Sequence, residues 1–196
     1  MSEPLSPYNA APQPYDDLTP DTVIAAVEAA GFWSDARIFP LNSYENRVYQ
    51  VGIEDGAPII VKVYRPARWS DEQILEEHNF CFELQEQDIP VVCPQLIGGA
   101  SLHHFSGYRF AFFERRGGRA PELDNDDVLY ELGQVLGRMH CIGRASAFKS
   151  RPTIDTDTFG WQSRQFLLQE FDISVAAQRH FEQVSEQLLQ TIDQQL

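Results

Sequence analysis

Residues 41–66 read LNSYENRVYQVGIEDGAPIIVKVYRP, and their reading decides the fold. Two apolar, β-branched runs, 47–53 (RVYQVGI) and 58–64 (PIIVKVY), flank Asp55-Gly56. An Asp-Gly pair between such runs signals a hairpin. The expectation is two antiparallel strands joined by a tight turn, with Pro66 ending the second because it has no amide to donate. Alternation puts Ile60, Lys62 and Tyr64 on one face of that strand and Ile59, Val61 and Val63 on the other. Both faces are largely apolar, so the Lys62 ammonium is partly screened from water. Leaving it unpaired costs several kcal/mol. Two readings stand: Lys62 snorkels to the sheet edge, or it holds a carboxylate and an anionic ligand.

The next segment offers the carboxylate. Asp71 reads as a helix start, with Ile74, Leu75, His78, Cys81, Phe82 and Leu84 at helical spacing. Glu77 shares the inward face with Ile74, His78, Cys81 and Leu84, whereas Glu76 lies about 100° away, toward solvent. An acid on a buried stripe is unusual unless paired. Glu77 is therefore either the partner of Lys62 or a solvated charge at the stripe's edge. A strand lysine that touches the α/β-phosphates and pairs with a helical glutamate is the protein-kinase arrangement, and Ile59–Lys62 (IIVK) fits its V-A-I-K strand. The preceding loop departs from the G-x-G-x-x-G usual there, having Asn42-Ser43-Tyr44-Glu45-Asn46 instead. Its backbone amides and the Ser43 hydroxyl can still donate to phosphate. An ordinary Asn/Ser turn is the other reading.

Outward from this centre, Thr19 and Pro20 read as N-cap and first position of a helix with Val23, Ile24 and Val27 on its apolar stripe, ended by Gly31. Residues 1–18, with prolines at 4, 7, 12 and 14, read as a loose tail. Short strands are predicted near 91–97 and 107–113, with Gly98-Gly99 in a turn between them. Residues 126–140 form an amphipathic helix with Val128, Leu129, Leu132, Val135, Leu136 and Met139 on one face. A polar loop containing Pro152 follows, then a helix from about 174 with Phe181, Val184, Leu188 and Ile192 at core spacing. The fold class is α+β: an antiparallel-sheet lobe, 19–115, then the start of a helical one, 116–196.

The 196 residues carry a formal net charge of −14, which argues against a nucleic-acid partner but not against ATP, for which one local cation cluster suffices. Three cysteines (81, 93 and 141) without CxxC spacing suggest neither a disulfide framework nor a zinc site. No apolar run approaches the roughly 20 residues of a membrane span, and the N-terminus lacks the cationic start and apolar stretch of a signal peptide. His103-His104 reads as a turn or surface pair, Gly117-Gly118-Arg119 as a connection, and Trp33, Trp69 and Trp161 as packing residues.

Four stretches, PLNSYENRVYQV (40–51), VKVYRPARWSDEQILEEHNF (61–80), LGRMH (136–140) and RPTI (151–154), together resemble the stress response kinase A family. These are bacterial protein serine/threonine kinases of the aminoglycoside-phosphotransferase and choline-kinase-like group. The similarity runs from about Thr19 to at least Ile154, and its first two motifs are specific. It implies a two-lobed protein kinase-like fold, ATP and Mg²⁺ as cofactors, a cytoplasmic location and a role in stress protection. By motif, Ser43 matches the family's ATP-loop serine, Lys62 its strand lysine and Glu77 its helix glutamate. Phe112, Phe113, Glu114 and Arg115 correspond to the hinge that would hold adenine through backbone groups. The family's catalytic loop, H-G-D-x-H-x-G-N, has no counterpart: the histidines are 78, 103, 104, 140 and 180, and none begins H-G-D or H-R-D. The chain thus resembles the first part of such a kinase, with no catalytic residue or metal ligand of its own, and is expected to be inactive alone. The apolar faces of 126–140 and 174–196 would then invite self-association. Two alternatives stand beside this reading: a short non-catalytic module binding nucleotide or a protein, and a kinase acting on a small alcohol.

Overall fold

The computed structural model describes residues 14–170 and 174–195. They form two compact units, divided between Ala147 and Phe148. The lobe boundary expected near residue 116 follows the strand end after the sheet, whereas packing divides the described residues further on.

The first unit is built on a five-stranded, wholly antiparallel sheet in the order β1-β2-β3-β5-β4. Its strands are β1 (Ser34–Leu41), β2 (Arg47–Ile53), β3 (Ile59–Tyr64), β4 (His103–Phe105) and β5 (Tyr108–Glu114). β2 and β3 form the expected hairpin, with the Gly56 amide donating to the Ile53 carbonyl (3.5 Å) in the turn. Pairing of Val48 with Lys62 and of Lys62 with Ala111 places the lysine on a central strand.

β1 lies outside the sequence expectation, as does β4. β1 pairs regularly from Ile38 to Leu41, but its register shifts between Ser34 and Ile38, where Ala36 takes φ +62°. Pro40 is accommodated because β1 is an edge strand. Gly52 of β2 leaves the space that the Asp35 carboxylate occupies beside the bulge: a Cβ there would sit 2.2 Å from its oxygen. β4 and β5 are joined by Ser106-Gly107, both at positive φ (+47° and +81°), a turn that suits glycine at its second position. The strand expected at 91–97 is corrected. Pro94 deprives it of an amide, and its backbone pairs with β5 through a Pro94–Phe113 bridge and a 2.8 Å bond from the Gln95 amide to the Phe112 carbonyl.

Each face of the sheet has its own helix. α1 (Pro20–Ala29) is capped by Thr19, whose hydroxyl accepts from the Thr22 amide at 3.2 Å, and it ends before Gly31 at φ +93°. It buries Val23 and Val27 against Val51, Val61, Val63, Phe110 and Phe112. α2 (Asp71–Glu86) starts with a reciprocal capping box between Ser70 and Gln73. It brings Ile74 against Tyr64, Leu102 and Ala111 on the opposite face. Burying each such aliphatic or aromatic side chain contributes about 1.5–3 kcal/mol. The tail expected to be loose through residue 18 is ordered at its end. Tyr15 stacks on Tyr108 with ring centroids 6.4 Å apart, and Leu18 packs against the α1-side core. Its earlier part, 1–13, lies outside the described residues.

α3 (Asp126–Gly143) also belongs to the first unit. Asn125 caps it by accepting from the amides of Asp127 and Val128. Arg138 donates to the carbonyls of Gln87 (2.9 Å) and Asp88 (3.2 Å), satisfying the otherwise unbonded end of α2. Leu129, Leu132 and Leu136 stay exposed, as the sequence reading anticipated for this face.

In the second unit a π-helical turn, Asp157–Trp161, runs into α4 (Gln162–Glu170), and α5 (Val175–Asp193) packs beside them. The sequence reading had a loop where α4 stands. Leu189 of α5 is the buried contact, and a Cβ on Gly160 would meet its Cδ2 at 2.3 Å. Arg164 ties α4 to α5 through the Ser185 hydroxyl (2.9 Å) and the Glu182 carbonyl (3.2 Å).

Candidate functional site

Alternation on β3 sends Lys62 toward α2, on the face that also carries Ile60 and Tyr64. Its Nζ lies 3.1 Å from Glu77 Oε1 and 4.5 Å from the centre of the Tyr64 ring. The ion pair is partly open: the lysine side chain is 22% exposed and the glutamate 34%. Glu77 is thus the lysine's partner, while Glu76 is half-buried one position earlier on the helix. An ammonium has three donors in different directions. One carboxylate oxygen and one ring face leave it able to turn a donor toward a phosphate.

Behind this pair lies a polar chain that sequence reasoning missed. The Tyr64 hydroxyl is 2.7 Å from His78 Nε2, and His78 Nδ1 is 2.8 Å from the Ser101 hydroxyl. His78 is 1% exposed. Burial pushes its pKa down from 6.5 to about 4, with the nearby Lys62 charge adding to the effect and Glu77 opposing it. The imidazole is therefore neutral near pH 7, one nitrogen donating and the other accepting. Tyr64 falls on the Lys62 face by alternation, and His78 was legible as inward-facing. The link between them needed the crossing of α2 over β3.

Ser43 lies in the turn between β1 and β2, just beyond the point where Leu41 pairs with Val48, which in turn pairs with Lys62. Ser43 is half-buried and Tyr44 fully exposed. At the far end of β5, Phe112 turns its side chain into the α1-side core, and its carbonyl receives the Gln95 amide. Phe113 packs on the α2 side. Glu114 pairs with Ile59, and the exposed Arg115 donates to Gln50 Oε1 at 2.9 Å. Of the four expected hinge residues, Glu114 and Arg115 stand where the chain leaves the sheet.

Of the two readings of the histidine pair, turn or surface, the turn is corrected: both lie on β4, with His104 exposed and His103 half-buried. His104 Nε2 is 2.9 Å from Asp71 Oδ2, with Arg109 on the other oxygen, and the His103 ring lies against Phe112 at 5.4 Å. Trp33 is 74% exposed, against the expectation that it packs. All three cysteines are free. Among the described residues no cluster of three or more His, Cys, Asp or Glu side chains could hold a metal ion.

This five-stranded antiparallel sheet, with a helix beside its third strand, has a kinase-like fold. Residues 37–196 match the phosphotransferase enzyme family (APH), and the chain belongs to that family. Stress response kinase A of Escherichia coli strain K12 is 44% identical over 145 residues, which are 74% of this chain and 44% of that protein. The serine/threonine protein kinase RdoA of Salmonella typhimurium is 42% identical over 151 residues, 77% of this chain and 46% of that one. The chain therefore spans about half the length of the curated relatives it matches. Among solved structures, an amicoumacin kinase, hAmiN, in complex with AMP-PNP, Ca²⁺ and Ami, superposes with a TM-score of 0.67 at 23% identity, over 87% of this chain and 53% of that one. A microcompartment-associated aminopropanol kinase gives a TM-score of 0.51 at 20% identity, over 74% and 53%. These two likenesses concern the fold.

The expected division of labour within α2 is testable. Glu77→Gln should weaken ADP binding several-fold, because Lys62 loses the charge that holds it. Glu76→Gln should leave ADP affinity within about twofold, as the Lys62–Glu77 contact stays intact. Calorimetric titration of both variants checks this, and equal losses in the two would remove Glu77 from its special role.

Proposed function

We propose that these residues form the nucleotide-clamping part of an ATP-dependent protein serine/threonine kinase of the stress response kinase A type. The observation that carries the reading is the 3.1 Å pair between Lys62 on β3 and Glu77 on α2. Lys62 holds the phosphates of ATP, Ser43 and the turn amides approach them from the β1–β2 side, and the backbone at Glu114 and Arg115, where the chain leaves the sheet, takes the adenine. Two relatives at 42–44% identity, one named stress response kinase A and the other a serine/threonine protein kinase, support a protein hydroxyl as acceptor and a role in stress protection. No helix among the described residues is long and apolar enough to cross a membrane.

Phosphoryl transfer also needs a metal-binding carboxylate and a residue that positions the attacking hydroxyl. No H-G-D or H-R-D triplet occurs in the 196 residues. The proposal is therefore that these residues bind nucleotide without turning it over, Mg²⁺ being held by groups they do not supply. The exposed leucines of α3 support self-association of isolated copies.

Two assays on the purified 196 residues test this. Titration with ADP should show saturable binding, and incubation with Mg-ATP and a mixture of protein acceptors should show no phosphoprotein above background. Metal-dependent phosphorylation would overturn the second claim, and failure to bind ADP would overturn the first.

A further inference from the structure

The turn that carries Ser43 contains no glycine between Leu41 and Val51, yet it is tied down by its own side chains. Both oxygens of the Glu45 carboxylate are occupied: Oε2 accepts from Arg68 Nε and Oε1 from the Trp69 indole N–H, each at 2.8 Å. Arg68 also lies over the Trp69 ring, 4.6 Å from its centre. The Glu45 carbonyl accepts from the Tyr15 hydroxyl at 3.1 Å, and Asn46 Oδ1 accepts from the Arg65 amide at 3.2 Å. Loop residues are thus fastened to the segment just after β3 and to the ordered end of the N-terminal tail. The Arg68 hydrogen bond, chiefly, holds the Glu45 carboxyl below its ordinary range despite some burial.

A bare carboxylate next to a phosphate site would repel its ligand. Here the charge is matched by Arg68 and engaged on both oxygens, so it serves the loop and leaves the phosphate to other groups. Fixing a residue's backbone costs conformational entropy. A glycine-rich loop meets much of that cost when the ligand arrives; a loop fastened during folding has met it beforehand. We propose that Glu45 is a positioning residue, whose pairing with Arg68 and Trp69 presets the Ser43–Asn46 backbone to receive nucleotide phosphates. The inference rests on the nucleotide reading given above and adds to it a rigid loop in place of a flexible one.

The test compares ADP with adenosine, which lacks phosphate, on the full 196 residues. Glu45→Gln should weaken ADP at least about fivefold, while adenosine affinity stays within about twofold, the split expected when only the phosphate side is disordered. Trp69→Phe, which keeps a ring and removes the N–H, should show the same split more weakly. Amide hydrogen exchange at residues 43–46 should speed in Glu45→Gln with the sheet unchanged. A purely structural role would lower both affinities together or neither, and either result overturns the inference while ADP binding by the unmodified chain sustains the nucleotide reading. No ADP binding by the unmodified chain overturns both.

Discussion

Lys62→Ala should weaken ADP binding by about tenfold to about a hundredfold, the worth of a charge-assisted hydrogen bond to an anion. Its effect on folding should be much smaller. The Lys62–Glu77 pair is partly open to water, and ion pairs of that kind contribute about 0–1 kcal/mol. The two effects therefore separate: the urea midpoint shifts little while affinity falls steeply. Lys62→Arg should not match the unmodified protein, because the larger guanidinium holds its donors in a fixed planar fork that does not fit the point the compact ammonium occupies between Glu77 and the Tyr64 ring. Parallel calorimetry and urea unfolding of the unmodified protein and both variants check this. An unchanged ADP affinity in Lys62→Ala would remove the lysine from the phosphate site.

The second large effect concerns pH. His78 is buried as the neutral imidazole, its pKa pushed down from 6.5 to about 4. A protein that opens exposes this ring, which then takes a proton at the ordinary value. The folded state's advantage is thus complete above about pH 6.5 and is lost progressively as pH falls from 6.5 toward 4. Over that window the loss amounts to about 3 kcal/mol, before any carboxylate contributes. His78→Gln replaces the ring with an amide that can also donate and accept but takes no proton. It should be less stable than the unmodified protein at pH 8, since it fits the gap between Tyr64 and Ser101 less well. Its stability should fall less between pH 6.5 and 4. Urea midpoints at pH 8, 6 and 5 measure the difference, and parallel curves for the two proteins would show that His78 is not its source.

Much of this site could be read in the residues because it is local. The β2–β3 hairpin follows from Asp55-Gly56 between two β-branched runs, and the inward face of α2 from the spacing of Ile74, His78 and Leu84. Those two periodicities, 2 and 3.6, pointed to Glu77 on the inward face, and the 3.1 Å contact with Lys62 decided it over a solvated charge. What escaped depends on contacts distant in sequence or on broken periodicity. β1 hides its alternation behind the Ala36 bulge and Pro40. The 91–97 segment looks like a strand by composition, but Pro94 lies in its middle, and its pairing with β5 is one bridge and one amide bond. β4 has three residues, too few to show a period. The Glu45 fastening joins residues 23 and 24 positions apart, and nothing in the local pattern announces it.

The two strands that the sequence concealed share a location: β1 and β4 are the outer members of the sheet. One is bent by a bulge and interrupted by a proline, and the other is three residues long with a charged neighbour, Asp71, bonded to its His104. Neither presents a long, flat row of unmet amides and carbonyls, the template on which cross-β stacking between copies grows. Concentrated solutions of this protein should accordingly stay free of amyloid-type fibrils, and an extended peptide has no straight rail along which to add itself to the sheet.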